Sequence, residues 1–490
     1  MRSDRNQKAG IFKTILPENK YLTTLVIVCG LLSVAFTALV FIVGVLPTIY
    51  NVLIAAVTFA AYAVVAGLAR SRKDKTRKRK ASAVLAVLMI IVLSIGVYYL
   101  YSTNSAFNAI GGQDGQMEDF HVLVLKDSKF GELKDIEGQA LFVTDVQDNT
   151  YKEAKKLLRE EIDVIYTISG DYLGVGHKLV DEEGKTHDNV AFLSNSYYEL
   201  LCDEIEGFDK VTKILHTVSV DIETIDSTKR VDVTKEAFSV YISGIDTFGR
   251  IENVSRSDVN MLMTVNPKTK KILLTSIPRD MYLTLHTYGE KDKLTHSGIY
   301  GIDETVMTVE NWLGIEINYN IRVNFTTLVD VVDIIGGIDV ESVRPFKSSV
   351  SDYSYVQGTN HLSGEAALYF ARERKSLPAG DGDRVKNQQR VLKAIINKVT
   401  TSPVILTKYT QLLKSLEGKM QTSLTNDDIA ALVQAQLDDL GGWEIEMISI
   451  KGKGMTATTY STGSQRLYVA IPDEESVQAA QRAINNTLSQ

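Results

Sequence analysis

The alternation of apolar and polar positions changes character near residue 102. Between Tyr21 and Ala69 there is no Asp, Glu, Lys or Arg. A bilayer core takes ~20 apolar residues per helix, so this run predicts two spans, 21–44 and 48–69. Pro47 and Asn51 interrupt it and predict a turn over Leu46–Asn51. A third apolar run, 81–101, predicts a third span. Beyond a Gly- and Asn-rich tether (102–119), shorter periods take over. FHVLVL and QALFVTD read as strands, and TYKEAKKLLREEI and EIEGFDKVTKIL as helices, which makes 120–217 a small α+β accessory module.

From about residue 236 strands alternate with helices. FSVYISGID, SDVNMLMTV and KKILLTSI are strand patterns, the last two joined across NPKT as a hairpin. DETVMTVENWLG and FTTLVDVVDIIGG are helical patterns, the second stopped by Gly336 and Gly337. LSGEAALYFA is a short helix capped by Ser363, and RVLKAIINKVT carries the apolar stripe of a long one. The fold class is therefore α/β, with an α/β/α layered domain over 236–480.

Charge orients these parts. Residues 1–80 hold 13 basic and 3 acidic groups, against 40 and 57 in the rest. Eight basic residues fill the loop 70–80 between two spans, and the N-terminus (1–20) is also basic, so both are predicted to face the cytoplasm. The chain is then a multi-pass membrane protein whose C-terminal part lies outside. No small-residue cleavage site follows the first span, which argues against a signal peptide. The basic block is pinned between spans with no domain behind it, which speaks against nucleic acid as a partner. Cys29 falls in a span and Cys202 in the outer part, so no intramolecular disulfide is expected, as suits an exported bacterial protein.

Against this acidic outer part, ARERKSLPAGDGDRVKNQQR (371–390) concentrates four arginines. If Arg372 and Arg374 stayed helical they would diverge by about 200°; in an extended chain both point one way and Glu373 the other. Arg384 and Gln388 share a helical face with Leu392 and Ile395, where polar groups need a buried partner. A core helix frayed at its N-terminus would give the same pattern. If NPKT closes the hairpin, Asp258 faces Ile277 and Arg256 faces Arg279, so the two arginines and Asp258 crowd one end of it. Either they share an anionic ligand or Asp258 neutralises a surface cluster. Asp246 ends its own strand after Gly244. Two carboxylates beside arginines are poor acid–base groups but suit Mg²⁺, with phosphate oxygens completing its shell. Guanidinium forks match phosphate oxygens bidentately, and a pyrophosphate is the natural ligand for several of them.

The blocks SGID, SRSD, TSIPRD, NFTTLVDVVDIIGGIDV, LSGEAALYFARER and DRVKNQQR resemble, in order, the LytR–CpsA–Psr family over about 240–400. The three spans and extra module look like its streptococcal capsule members. The resemblance implies a Mg²⁺-dependent phosphotransferase (Mn²⁺ as an alternative) outside a Gram-positive cell membrane. It would move a capsular polysaccharide phosphate from a polyprenyl-pyrophosphate carrier onto peptidoglycan, with peptidoglycan, membrane and other capsule assembly proteins as partners. Asp246 and Asp258 would hold the metal. Arg256, Arg279, Arg372, Arg374, Arg384 and Gln388 would bind the pyrophosphate. Arg279, Arg372, Arg374 and Asp381 or Asp383 would act in catalysis. Where relatives often carry a basic residue before the Gln-Gln pair, this chain has Asn387. The lipid tail needs an apolar tunnel, for which Met307, Val309, Trp312, Leu313, Leu328, Val331 and Val332 are candidates, unless they are simply core. A receptor for the lipid-linked precursor, or a pyrophosphatase using water as acceptor, would draw on the same residues.

Overall fold

The computed structural model describes residues 20–490 except 45–47, 72–74, 111–114, 146–147, 181–187, 223–224, 246–250, 403, 440 and 464. It divides into two compact units: Met1–Ala109 with Lys408–Lys414 and Thr425–Gly441, and Ile110–Thr407 with Ser415–Leu424 and Gly442–Gln490.

The first unit contains three helices, α1 (Lys20–Val43), α2 (Thr48–Arg70) and α3 (Lys75–Ile110), each with an apolar stretch long enough to cross a membrane. Two boundaries differ from expectation. Helix α2 already begins at Thr48, so Asn51 lies inside it, because a lone Asn costs a helix far less than a proline does. Helix α3 continues past 101 to Ile110, so the first half of the expected tether is helical, its glycines coming only after that point.

In the second unit the accessory segment forms a five-stranded sheet, β1 (Gln116–Leu125), β2 (Ala140–Val143), β3 (Ile165–Ile168), β4 (Val190–Ser194) and β5 (Thr212–Ile222), in the order β3-β2-β4-β1-β5. Helix α4 (Asn149–Glu161) covers one face, burying Tyr151, Ala154 and Leu158 against Phe120 and Phe192. Helices α5 (Tyr172–Leu179) and α6 (Asn195–Glu204) cover the other, against Leu123 and Leu193. Each helix is capped as its sequence dictates: Asp148, Asp171 and Ser194 accept from the third residue on.

Within β1, Glu118 keeps some exposed surface, but its carboxyl sits among Ser194, Ser196, Asp119 and Asp148. Burial, reinforced by the two aspartates, pushes it from 4.5 up to about 8. The folded state therefore holds a proton that the unfolded chain releases, and stability falls as pH rises through that window. We expect the melting temperature of the second unit to drop between pH 5 and 8, and Glu118→Gln to flatten that slope. An equal slope in both proteins would exclude Glu118 as its source.

The larger sheet has six strands: β6 (Phe238–Ile245), β7 (Val259–Asn266), β8 (Lys271–Ile277), β9 (Tyr319–Asn324), β10 (Met420–Thr422) and β11 (Glu444–Ser449), in the order β10-β9-β6-β7-β8-β11. Successive residues face opposite sides, and this alternation separates two environments. Tyr241, Leu262 and Leu273 face a closed core made with α7 (Ile302–Leu313) and the C-terminal helix, through Val309, Leu313, Ala480 and Ile484. Ile242, Met261 and Val323 face the other way, towards α8 (Phe325–Ile334), α9 (Gly364–Arg372) and α10 (Asp381–Thr401). The result is the α/β/α layering expected from the sequence. The stop at Gly336 and Gly337 also holds: their φ values are +80° and +82°, and their N–H groups bond back to Asp333 and Val332.

The hairpin register differs from the predicted one. Asn266 pairs with Lys271, and the loop is Pro267–Lys270, with Lys270 left-handed at φ 52°. Asn266 Oδ1 accepts from the N–H groups of Lys268 and Thr269, which makes it the pivot and slides the ladder by one pair. Asn260, not Asp258, therefore faces Ile277.

Candidate functional site

Between the sheet and the α8–α9–α10 layer lies a cavity of about 450 Å³. Where the opposite face of the sheet is filled with side chains, this one is hollow. Its walls are Ile242, Met261, Val323, Leu328, Leu368, Val391, Leu392 and Ile395, and its polar end is Arg256, Asp258, Arg279, Arg372, Arg374, Arg384 and Gln388. Arg384, Gln388, Leu392 and Ile395 follow one face of α10, a run of about 16 Å at 1.5 Å per residue. The slot is thus cationic at one end and apolar along its length.

The register shift changes which groups meet at the hairpin end. Arg256 and Arg279 do not oppose one another; Arg279 Nη1 donates to Asp258 Oδ1 at 2.8 Å, and Thr295 Oγ1 donates to the same oxygen at 3.1 Å. The helical turn at Leu294–Ser297 is held to both strand ends, Thr295 N bonding Arg279 O and Ser257 N bonding Thr295 O. Gly244 serves here through space rather than flexibility: a Cβ on it would lie 2.7 Å from Val259 Cβ. Burial opposes ionisation of Asp258, but Arg279 and Arg256 outweigh it and hold its carboxyl below the ordinary value.

At the other rim α9 ends at Arg372 and the chain turns extended at Glu373 (φ −66°, ψ 131°). Arg372 and Arg374 consequently both line the cavity, while Glu373 turns inward, only 1% exposed, and accepts from the N–H groups of Ser349 and Ser376. The Arg372 guanidinium lies 4.3 Å over the Phe325 ring. Asn387 is structural: it donates to Phe370 O at 3.2 Å and accepts from Arg390. Gln389 pins α10 to the sheet through Leu274 O and Ile448 O, leaving Gln388 to the cavity. The two loop aspartates part company. Asp381 pairs with Arg384 at 2.5 Å, whereas Asp383 accepts from Ala379 N at 3.1 Å within its own loop. Asp246 lies outside the described residues.

Three guanidinium Nε–H groups at this end, of Arg256, Arg279 and Arg384, are buried without a hydrogen-bond acceptor among the described residues. Two of them face a carboxylate beyond hydrogen-bond reach, Arg256 Nε at 3.8 Å from Glu199 Oε2 and Arg279 Nε at 4.0 Å from Asp280 Oδ2, and such a cluster of cations suits an anion with several oxygens. The Arg384 guanidinium is itself held below its ordinary value, by burial and by Arg279 and Arg374, against the pull of Asp381 and Asp258. For a divalent cation, Asp258 offers an ionised carboxylate whose Oδ2 accepts no hydrogen bond among the described residues. That donor chemistry fits a Mg²⁺ shared with phosphate oxygens.

The tunnel candidates fare differently. Val309 and Leu313 belong to the closed core, with Trp312 packed against it, because α7 covers the opposite face of the sheet. Met307, Val331 and Val332 also lie off the cavity, and Leu328 alone of that set lines it. Sequence reasoning missed the strand residues Ile242, Met261 and Val323, and it missed two carboxylates of the accessory module. Asp203 lines the cavity and is ion-paired to Arg256 Nη1, and Glu199 stands 3.8 Å from Arg256 Nε. Their i, i+4 spacing on a helix was the available signal.

Among known proteins, a teichoic acid transferase TagU of Bacillus licheniformis is 39% identical over 223 residues, 44% of this chain and 71% of the relative. A TagU of Enterococcus faecalis is 33% identical over 273 residues, 54% and 86% of the two chains. Both carry the full name polyisoprenyl-teichoic acid–peptidoglycan teichoic acid transferase. The family pattern described as LytR_cpsA_psr matches residues 205–483, which take in both rims of the cavity and most of its lining. With more than half of its length matched, this chain belongs to the LytR–CpsA–Psr family.

Proposed function

We propose that the protein is a membrane-anchored glycopolymer–peptidoglycan transferase that takes its glycan phosphate from a polyprenyl-pyrophosphate carrier and works outside the cell membrane. The observation that supports this most directly is the pairing of five arginines, Arg256, Arg279, Arg372, Arg374 and Arg384, with an apolar slot in one cavity. Such a shape suits a diphosphate bearing a long hydrocarbon tail, and the relatives' names supply the reaction class.

In the reaction, an acceptor hydroxyl oxygen on peptidoglycan bonds to the phosphorus that carries the glycan. The bridging P–O bond breaks, polyprenyl phosphate leaves, and the hydroxyl proton passes to solvent. Arg279, Arg256 and Arg384 bind the non-bridging oxygens and neutralise charge that grows as the bridge breaks. Arg372 and Arg374 close the opposite rim, and the apolar walls orient the tail and exclude water from the leaving group. Mg²⁺, held by Asp258 with Asp246 as the proposed second ligand, would add charge neutralisation at the same oxygens. A capsular polysaccharide is the glycan we propose, from the resemblance to capsule members.

The test is full-length protein in lipid nanodiscs. Lipid extracted from the purified protein should contain polyprenyl phosphates by mass spectrometry, and added peptidoglycan should become labelled from a lipid-linked glycan. Binding without labelling would make the protein a receptor, and release of free glycan phosphate at the same rate without acceptor would make it a pyrophosphatase.

A further inference from the structure

Arg256 differs from the other cavity arginines in what stands behind it. Helix α6 presents Glu199 and Asp203 one turn apart, and both reach the same guanidinium, Glu199 at Nε and Asp203 at Nη1. Glu199 is itself fixed from within the accessory module. It accepts from Asn195 Nδ2 at 3.0 Å, and from outside the module it accepts from Ser255 Oγ at 3.1 Å. Asn195 Oδ1 in turn shares a hydrogen bond with His121 Nε2 at 3.1 Å, and His121 Nδ1 one with Thr217 at 3.0 Å. A polar network thus runs from the module's sheet to one cavity arginine. Only Asp203 reaches the cavity surface, with 53% of its side chain exposed. Glu199 and Asp203 both precede the segment, 205–483, that matches the family.

We propose that the accessory module is part of the site: Glu199 and Asp203 are positioning residues that hold the Arg256 guanidinium at the cavity and limit how tightly it grips a diphosphate. The proposal rests on the diphosphate reading above. Glu199 anchors Arg256 from the buried side, so that the fork keeps one orientation when ligand arrives. Asp203 occupies Nη1 on the open side, so a phosphate oxygen must displace it or share the donor. An anionic wall beside an anion site weakens ground-state binding while keeping the cation in place, which favours turnover over retention of the ligand.

This assignment gives an effect opposite in sign to that of a merely structural contact. In full-length protein, Asp203→Asn is expected to bind inorganic pyrophosphate more tightly, by about fivefold, the upper scale of one solvent-exposed charge pair. Glu199→Gln keeps the shape and hydrogen-bonding capacity of the side chain, and its kcat is expected to fall about tenfold with KM changed less than about twofold, the pattern of lost orientation. Both effects should shrink below about twofold in an Arg256→Ala background, since the carboxylates act through that residue. Unchanged or weaker pyrophosphate binding by Asp203→Asn, or effects of equal size with and without Arg256, would overturn the proposal. If the binding effects appear as expected while the wild type transfers no glycan, the module's role stands and the transferase reading alone falls.

Discussion

Arg279→Ala is expected to lower glycan transfer by about 10²–10³, the usual cost of removing one preorganised donor from developing transition-state charge. The residue carries two duties. Its Nη1 holds Asp258, and its Nε is buried without a hydrogen-bond acceptor among the described residues, 4.0 Å from Asp280 Oδ2. Removing it also leaves Asp258 buried beside fewer cations, so the variant should melt at lower temperature and activity must be compared on folded protein. Arg279→Lys restores charge but not the fork, and should recover only a minor part of the rate. Because Asp258 is held below the ordinary carboxylate value, it stays ionised from neutral pH down past that value. Its contribution to stability and ligand binding is therefore lost only as pH falls through its lowered folded value, and rate profiles between pH 5 and 9 should not report it. Full transfer by folded Arg279→Ala would remove this arginine from the mechanism.

Ile395→Trp is the second variant with a large expected effect. Ile395 lies three turns from Arg384 along α10, on the same cavity face. An indole there fills the far part of the slot without touching the cationic end. The KM for a long-chain polyprenyl substrate should rise at least about tenfold, since several buried methylenes at ~0.8 kcal/mol each lose their place. A substrate analogue with a short chain should be turned over as by wild type, and inorganic pyrophosphate should bind unchanged. If long and short chains suffer equally, the slot does not hold the tail.

Much of this cavity was legible in the sequence. Composition marked the three apolar helices, and local chemistry marked Ser363 as a cap, Gly336 and Gly337 as a stop, and the break after Arg372. The face shared by Arg384, Gln388, Leu392 and Ile395 followed from helical period alone, and all four line the cavity. Other assignments failed for identifiable reasons. The hairpin register went wrong by one pair because the Asn266 side chain pivots the loop. The apolar stripe of α7 was a candidate tunnel wall because a stripe says that a face is buried and not against what. Of the two loop aspartates, spacing could not say which would meet a cavity arginine; Asp381 pairs with Arg384, and Asp383 stays within its own loop.

By itself the sequence determined the three long apolar helices, the cap at Ser363, the stop at Gly336 and Gly337, and the shared helical face of Arg384 and Gln388. These depend on composition and on neighbours within a few residues, and the energies involved act locally. Tertiary structure alone decided which side of the large sheet stays hollow and which aspartate meets Arg279. It also decided that Glu199 and Asp203, on a helix packed against a separate sheet, stand against Arg256. Those outcomes depend on contacts between residues far apart in the chain, where burial and ion pairing are settled by packing that no local spacing encodes.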